Sequence, residues 1–324
     1  MQSKLLRYTF GRLAFAIVFV FLVSSSALLL ARLAPGDVTS GLVPAGVSAE
    51  TIARERARLG LDRPLLEQYV GWVGRAARLD LGESYLYQRP VGELVGERVG
   101  NSVVLGATAL ALATIVGLPL GVVAGARPGR IAAIVRAASV AALSVPPLIS
   151  ALALAFVAAR TGWFPVGGLP PPDPAATWVG AASMFVWHLT LPALALALPF
   201  AATIEQLQAQ AMTTALGEPH ILAARARGVP ETRLVWRHAW RTAIRPVAAV
   251  YGIIIGTLLS GSFAVEVVAA WPGLGRLMYD ALVSRDVDLV AGCAAAGAVF
   301  LSAGTLVSDL ALAALDPRAR QEAS

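Results

Sequence analysis

Residues Val99–Ala126 read VGNSVVLGATALALATIVGLPLGVVAGA and contain no Asp, Glu, Lys or Arg. A helix crosses the hydrocarbon core of a bilayer in about 20 residues. A charge at its centre costs roughly 2.5–3.5 kcal/mol on the insertion scale. A run this long and apolar therefore reads as a membrane-spanning helix. Five more intervals lack all four residue types: Leu13–Ala31, Ala137–Ala159, Pro174–Ile204, Pro246–Val265 and Leu289–Ser308. The pattern predicts an all-α integral membrane protein with six transmembrane helices.

Composition agrees. Of the 324 residues, 57% are hydrophobic and 14% charged, against about a quarter charged in soluble domains. Mean hydropathy is +0.69. The net charge of +6 does not form the basic face or arm of a nucleic-acid binder. The charges sit in short segments between apolar runs. Cys293 is the single cysteine, which excludes an intramolecular disulfide and fits a small buried residue.

The first run follows Lys4, Arg7 and Arg12. It is long for the h-region of a signal peptide, about 7–15 residues, and reads as a retained span. Basic connections then alternate with neutral or acidic ones. Between spans one and two, nine arginines balance nine acids. Arg127, Arg130 and Arg136 follow without an acid, and the next connection holds only Arg160 and Asp173. Between spans four and five, Arg225, Arg227, Arg233, Arg237, Arg241 and Arg245 outnumber Glu205, Glu218 and Glu231. Connection Glu266–Asp288 is net acidic. The positive-inside rule places both termini in the cytoplasm.

The chain then divides into three parts. Residues 1–98 hold the first transmembrane helix plus an external segment. Residues 99–315 form a five-helix core with a cytoplasmic loop at about 205–245. Residues 316–324 are a cytoplasmic tail. The external layer between helices one and two contains helical character over Glu50–Leu59, interrupted by Gly60 and Pro64. An amphipathic stretch follows over Pro64–Leu79, with Leu65, Tyr69, Trp72 and Val73 on one side. Gly162–Pro172 is too rich in Gly and Pro for a regular helix.

Within the loop, Glu218-Pro219-His220-Ile221-Leu222-Ala223-Ala224-Arg225-Ala226-Arg227-Gly228-Val229-Pro230 carries start and stop signals. Pro219 suits a first helical turn, Gly228 the left-handed residue after a helix, and Pro230 the start of another. The segment predicts a short helix, a sharp corner and a second helix to about Arg245. Ala223 and Ala224 leave one side shallow. That shape suits docking into a groove on another protein and equally suits an amphipathic helix resting on the bilayer. Arg225 and Arg227 could meet partner acids or lipid headgroups.

The loop resembles the coupling loop of binding-protein-dependent ABC importer permeases, whose signature is Glu-Ala-Ala, three residues, then Gly. Here Leu222-Ala223-Ala224 precedes Gly228 at that spacing. Leu222 in the glutamate position is shared by the oligopeptide/dipeptide/nickel branch. That branch is similar also in Arg237-His238-Ala239-Trp240-Arg241-Thr242-Ala243-Ile244-Arg245-Pro246, in Ala34-Pro35-Gly36-Asp37, in Leu59-Gly60-Leu61-Asp62-Arg63-Pro64 and in Asp80-Leu81-Gly82-Glu83-Ser84. It is similar again in Leu143-Ser144-Val145-Pro146, Gly162-Trp163-Phe164-Pro165-Val166, Trp271-Pro272-Gly273-Leu274-Gly275-Arg276, Arg285-Asp286 and Asp316-Pro317-Arg318. The order and spacing resemble the first permease subunit of that branch almost end to end. Val38-Thr39-Ser40 and Pro219-His220 depart from it.

The resemblance implies the type I ABC importer permease fold in a bacterial or archaeal cytoplasmic (inner) membrane. It implies an ATPase-coupling loop at Glu218, Leu222, Ala223, Ala224, Arg225, Arg227, Gly228, Pro230 and Pro246. It also implies partners: a second homologous permease subunit, two ABC ATPase subunits and an extracytoplasmic substrate-binding protein, besides membrane lipid and without nucleic acid. The cargo it implies is a small solute such as a di- or oligopeptide. ATP and Mg would sit in the ATPases. This chain is expected to hold no ATPase of its own, because a Walker A loop needs a lysine and the only one is Lys4, and it is expected to bind no cofactor or metal.

Ser144, Pro146, Pro192, Ser260 and Glu266 are candidates for the solute pathway. Pro146-Pro147, Pro192 and Pro199 interrupt helical hydrogen bonding in spans, which marks either a cavity-lining kink or a packed one. Gly256, Gly261, Gly297 and Gly304 permit close helix contact. Glu205 and Asp309 at inner span ends fit snorkelling or pairing with loop arginines. Trp163, Trp178, Trp187 and Trp271 fit an interfacial belt. A secondary transporter or channel shares the six spans but would not need the Ala223–Gly228 loop. An intramembrane hydrolase using Ser144, Ser260 or Ser262 with His188 lacks a Gly-x-Ser-x-Gly frame.

Overall fold

The computed structural model describes residues 2–41, 47–169 and 177–315. The segment 170–176 and the tail 316–324, with Asp316-Pro317-Arg318, lie outside the described residues. Long apolar segments become helices here because lipid offers no hydrogen bonds, so each backbone group must be satisfied within its own segment. Helices α1 (Gln2–Leu33), α4 (Val91–Ala126), α7 (Trp178–Leu216) and α12 (Val287–Leu315) are each long and apolar enough to cross a membrane. Two bent helix pairs bring the number to six when each is counted as one span. One is α5 (Arg130–Ser144) with α6 (Pro147–Thr161), bent by 100°. The other runs from Glu231 to Val268 and bends by 44° between Leu258 and Gly261.

The chain forms two compact units, residues 1–102 with 272–302 and residues 103–271 with 303–324. In the first unit, α2 (Ala49–Arg58) starts on Ser48, whose hydroxyl accepts the Thr51 N–H, and α3 (Leu65–Ala76) starts after Pro64. Both fall where the sequence places them. Trp72 is buried with Leu28 and Ala291, and Tyr69 and Val73 pack beside it. Leu65, expected on the same side, is exposed. Strands β1 (Glu83–Ser84) and β2 (Arg89–Pro90) pair antiparallel. Helix α11 (Leu274–Val283) adds Leu277 and Ala281 to a core of Val91, Leu94, Leu289 and Val290. Cys293 is buried in that core, as expected. Burial raises the Tyr87 hydroxyl above its ordinary pKa, and nearby Asp280, which accepts its proton at 3.2 Å, adds to the rise.

Asp286 ties this unit together. Its buried carboxylate accepts from Ser84 Oγ at 2.6 Å, Leu86 N at 3.0 Å and Leu289 N at 3.2 Å. Two motifs far apart in the chain, Asp80–Ser84 and Arg285-Asp286, thus meet at one side chain, which also caps α12. Removing it orphans three donors.

In the second unit, α6 and α10 (Trp240–Val268) pack against α7. The core holds Leu105, Ala109, Leu196, Ile204, Val247 and Leu258. The third predicted span departs from a straight helix. Val145 is extended, at φ −102° and ψ 114°, and Pro147 opens α6. A residue before proline is driven out of the helical region, and Val145 and Pro146 both precede one. Trp271 is no belt residue. It is fully buried, edge-on to Phe185 with ring centroids 5.6 Å apart. Trp163, Trp178 and Trp187 are exposed.

Glu205 also departs from expectation. Helix α7 continues past it to Leu216, so Glu205 lies inside a helix and not at its end. Glu205 and Gln208 are fully buried, and their side-chain polar atoms have no hydrogen-bond partner among the described residues. They lie against Gly121 of α4, while Gly117 lies against Ala201 and Ile204 and Gly125 against Ala209 and Met212. A Cβ at Gly121 would lie 2.6 Å from both Gln208 Cβ and the Glu205 carbonyl oxygen. Close approach of α4 and α7 therefore requires these glycines. Of the glycines expected to make close contacts, Gly304 meets Ile255 and Gly261 meets Leu196, while a Cβ at Gly297 would meet nothing within 4 Å.

Gly121→Ala is expected to destabilise the protein by about 1–3 kcal/mol through overpacking, read as a lower thermal midpoint in detergent. Gly297→Ala, in open space, is expected to leave that midpoint unchanged or raise it. Asp286→Ala is expected to cost about 2–4 kcal/mol, and Asp286→Asn less, because an amide oxygen still accepts.

Candidate functional site

The segment after α7 folds as the start and stop signals require. Pro219 is the first residue of α8 (Pro219–Ala226), where its missing N–H breaks no helical bond. Glu218 precedes it with extended backbone, and its carboxylate lies 3.0 Å from His220 Nδ1. At the other end Gly228 adopts φ +78°. Its N–H donates to the Arg225 carbonyl at 3.0 Å, and the Val229 N–H donates to the Ala224 carbonyl at 3.2 Å. These two bonds define a Schellman motif, which satisfies carbonyls that a helix end leaves open. Val229 packs beside Ile221, Ala224 and Leu234, the apolar contact that accompanies the motif.

Helix α8 is anchored on one face. Ile221 and Ala224 are buried against Leu234. Leu222, Ala223, Arg225, Ala226, Arg227 and Gly228 are exposed. The shallow side read from the sequence is thus presented by Ala223 and not by Ala224, which points inward. Leu222 is 47% exposed, a large apolar side chain on an otherwise small and cationic surface.

An ion pair closes the corner. Arg225 Nε donates to Glu231 Oε1 at 2.7 Å, and Nη2 reaches Oε2 at 3.4 Å. Arg225 lies in the last turn of α8 and Glu231 opens α9 (Glu231–Arg233), so the pair bridges the turn at Gly228. It is 44% exposed on both sides, and its contribution is at most about 1 kcal/mol. The sequence leaves Arg225 open to partner acids or lipid headgroups, and the structure gives it Glu231 of the same chain. The opposite charges at 225 and 231, across a predicted corner, are the signal that could have revealed it.

The second helix does not stop near Arg245. From α9 the chain passes through a π-helical turn, Leu234–Ala239, directly into α10, which runs through Pro246 to Val268. Pro246 is exposed inside that helix. Leu234, Val235 and Ala239 are buried, while Trp236 and Trp240 lie tilted with ring centroids 6.1 Å apart. The corner at Gly228 leads through Val229 and Pro230 into a helical rod that is continuous from Glu231 to Leu258.

The other candidate residues are dispersed. Ser144 and Pro146 sit exposed at the break between α5 and α6, and the Ser144 hydroxyl is engaged by the Val140 carbonyl at 2.9 Å. Pro147, next to them, lies 3.8 Å from where a Cβ of Gly261 on α10 would be. Pro192 is buried in α7, beside Ala151 and Ala155 of α6. Glu266 is buried near the end of α10. The Ser260 side chain lies outside the described residues. Among the described residues, no group of His, Cys, Asp and Glu has the arrangement of a metal site.

Residues 117–321 match the family described as binding-protein-dependent transport system inner membrane component. The chain belongs to that family. It is a permease component of an ABC importer, a multi-pass inner-membrane protein of a non-catalytic transport family. Relatives align over nearly their whole length. The permease is 32% identical to a putative peptide permease protein of Brucella suis biovar 1, over 97% of this chain and 99% of the relative. It is 29% identical to the oligopeptide transport system permease protein AppB of Bacillus subtilis, over 96% and 98%. It is 30% identical to the glutathione transport system permease protein GsiC of Escherichia coli O6:H1, over 98% and 99%. Membership of this family implies ATPase and binding-protein partners.

A Cβ at position 228 would meet no atom within 4 Å, so substitution there acts through the backbone alone. Gly228→Ala is expected to weaken the corner by about 1–2 kcal/mol, and Gly228→Asn by less, since Asn tolerates the left-handed region. Faster proteolytic nicking between residues 217 and 231 checks the ranking.

Proposed function

We propose that α8 and the corner at Gly228 form the coupling element of the permease, seated in a groove on an ABC ATPase subunit. The observation that carries this reading is mechanical. A short helix is buried on one face, locked by a Schellman motif and an Arg225–Glu231 pair, and joined by the tight corner at Gly228 to α9 and a membrane helix. A displacement applied to the exposed Leu222–Arg227 surface has no flexible linker in which to dissipate. It moves the cytoplasmic end of α10 as a rigid body.

Glu218 and His220 fix the entrance to α8, Pro230 and Glu231 its exit, and Pro246 lies further along the rod. In this reading residues 1–98 carry the first helix and external layer. Residues 99–315 are the transport core, and about 205–245 its coupling segment. Two ATPase subunits hold ATP and Mg. A second homologous permease completes the pore, and an extracytoplasmic binding protein delivers cargo.

The cargo class is a di- or oligopeptide. Support comes from relatives named for peptide, oligopeptide and glutathione transport that align nearly end to end. The solute path runs past the break at Ser144 and Pro146, with Pro192, Ser260 and Glu266 on the helices around it.

The test is uptake of a labelled tripeptide by proteoliposomes holding the whole assembly. Uptake is expected to require ATP and the binding protein. Leu222→Asp places a charge on the docking surface and is expected to weaken ATPase association by about 2 kcal/mol, roughly thirtyfold, without reducing membrane insertion. Gly228→Val is expected to act in the same direction. Undiminished uptake without ATP would instead identify a secondary transporter or channel.

A further inference from the structure

We propose that the cytoplasmic end of α4, the start of α5 and the adjoining π-helical turn form a seat for one anionic phospholipid. The groove there encloses about 580 Å³. Its floor is apolar, formed by Val122, Val123, Ala126, Ile131, Val235 and Trp236. Val123, Ile131 and Trp236 are exposed, Ile131 at 68%. Ile134, one turn further along α5, is equally exposed, so the floor continues into an apolar flank of α5.

Arg127 and Arg130 stand at the rim, held apart by Pro128-Gly129. Neither makes a hydrogen bond or ion pair among the described residues. The acid at the same rim, Glu231, is already bound by Arg225 at 2.7 Å. The uncompensated charge of the groove is therefore positive. Gly129 caps α5 without a side-chain hydrogen bond, which leaves the first amides of that helix open to an anion.

An apolar slot and two free cations, at the boundary where membrane helices meet a basic cytoplasmic connection, fit an amphiphile. The phosphodiester meets Arg127, Arg130 and the α5 amides, while an acyl chain lies along Val123, Ile131 and Trp236. A soluble anion would satisfy the rim but leave the floor bare. A basic pocket between membrane helices on the cytoplasmic side attracts anionic lipid by about 1 kcal/mol per arginine. The site is separate from the Leu222–Arg227 surface and does not depend on its role.

The experiment is native mass spectrometry of the full chain, released from nanodiscs of equal phosphatidylglycerol and phosphatidylcholine. One phosphatidylglycerol is expected to remain bound, in roughly thirtyfold excess over phosphatidylcholine. Arg127→Gln with Arg130→Gln is expected to abolish the excess, and Arg127→Lys with Arg130→Lys to keep it, since charge and not fork geometry is the requirement. Thermal midpoints of both pairs show that the chain remains folded. Equal retention of the two lipids, or an excess that survives the Gln pair, overturns the proposal. So does displacement of the lipid by soluble glycerol phosphate, which would make the rim alone the site. Release of the lipid on addition of ATPase subunits would make a protein the occupant and equally overturn it.

Discussion

A peptide group inside hydrocarbon has no water to fall back on, so its hydrogen bonds must close within the chain. Most features of this permease follow from that demand. Long apolar runs become uninterrupted helices. Where proline removes a donor, the chain either tolerates it inside a long helix, as at Pro119, Pro192 and Pro199, or breaks sharply, as at Val145-Pro146-Pro147. Polar side chains in the helices return their hydroxyls to carbonyls one turn back, as Thr190, Thr203 and Ser302 do. Glu205 and Gln208 are exceptions, and they occur where glycine lets the backbones of α4 and α7 approach closely.

Much of this was legible in the sequence. Charge-free intervals located the spans because a single misplaced charge is expensive in lipid. The corner at Gly228 was legible because proline, alanine and glycine each restrict the backbone in a local, known way. Helices α2 and α3 were legible from periodicity and from Gly60 and Pro64, which place Tyr69, Trp72 and Val73 on one packed side but also Leu65, which is exposed. The long-range partners were not. Nothing local marks Asp286 as the acceptor for Ser84 and Leu86, some two hundred residues away. The 100° turn at Pro146 was invisible to a count of charges, which measures polarity and not direction.

Two misplacements are instructive. Trp271 has the aromatic character of an interfacial residue, yet packing against Phe185 outweighs it. Glu205 looked like the end of a span because the charge-free run ends there, although the helix carries on to Leu216. A charge count locates the membrane's polar boundary and not the end of the helix. The glycine stripe at 117, 121 and 125 was present as a four-residue repeat. It passed unnoticed because glycine spacing within one helix does not say which neighbour comes close.

The π-helical turn at Leu234–Ala239 has a consequence for how such chains diverge. A π turn holds one residue more than the α turn it replaces, and each α-helical residue advances the screw by about 100°. Six residues wound in the wider π turn sweep nearly the same angle as five in an α turn. Deleting one residue there would therefore restore a regular α-helix and leave the Ala223–Gly228 corner close to its present angle relative to Val247 and Ile254. A deletion elsewhere between Glu231 and Val247 would swivel the corner by about 100°. The π turn is thus a place where the chain can gain or lose a residue without re-aiming the short helix.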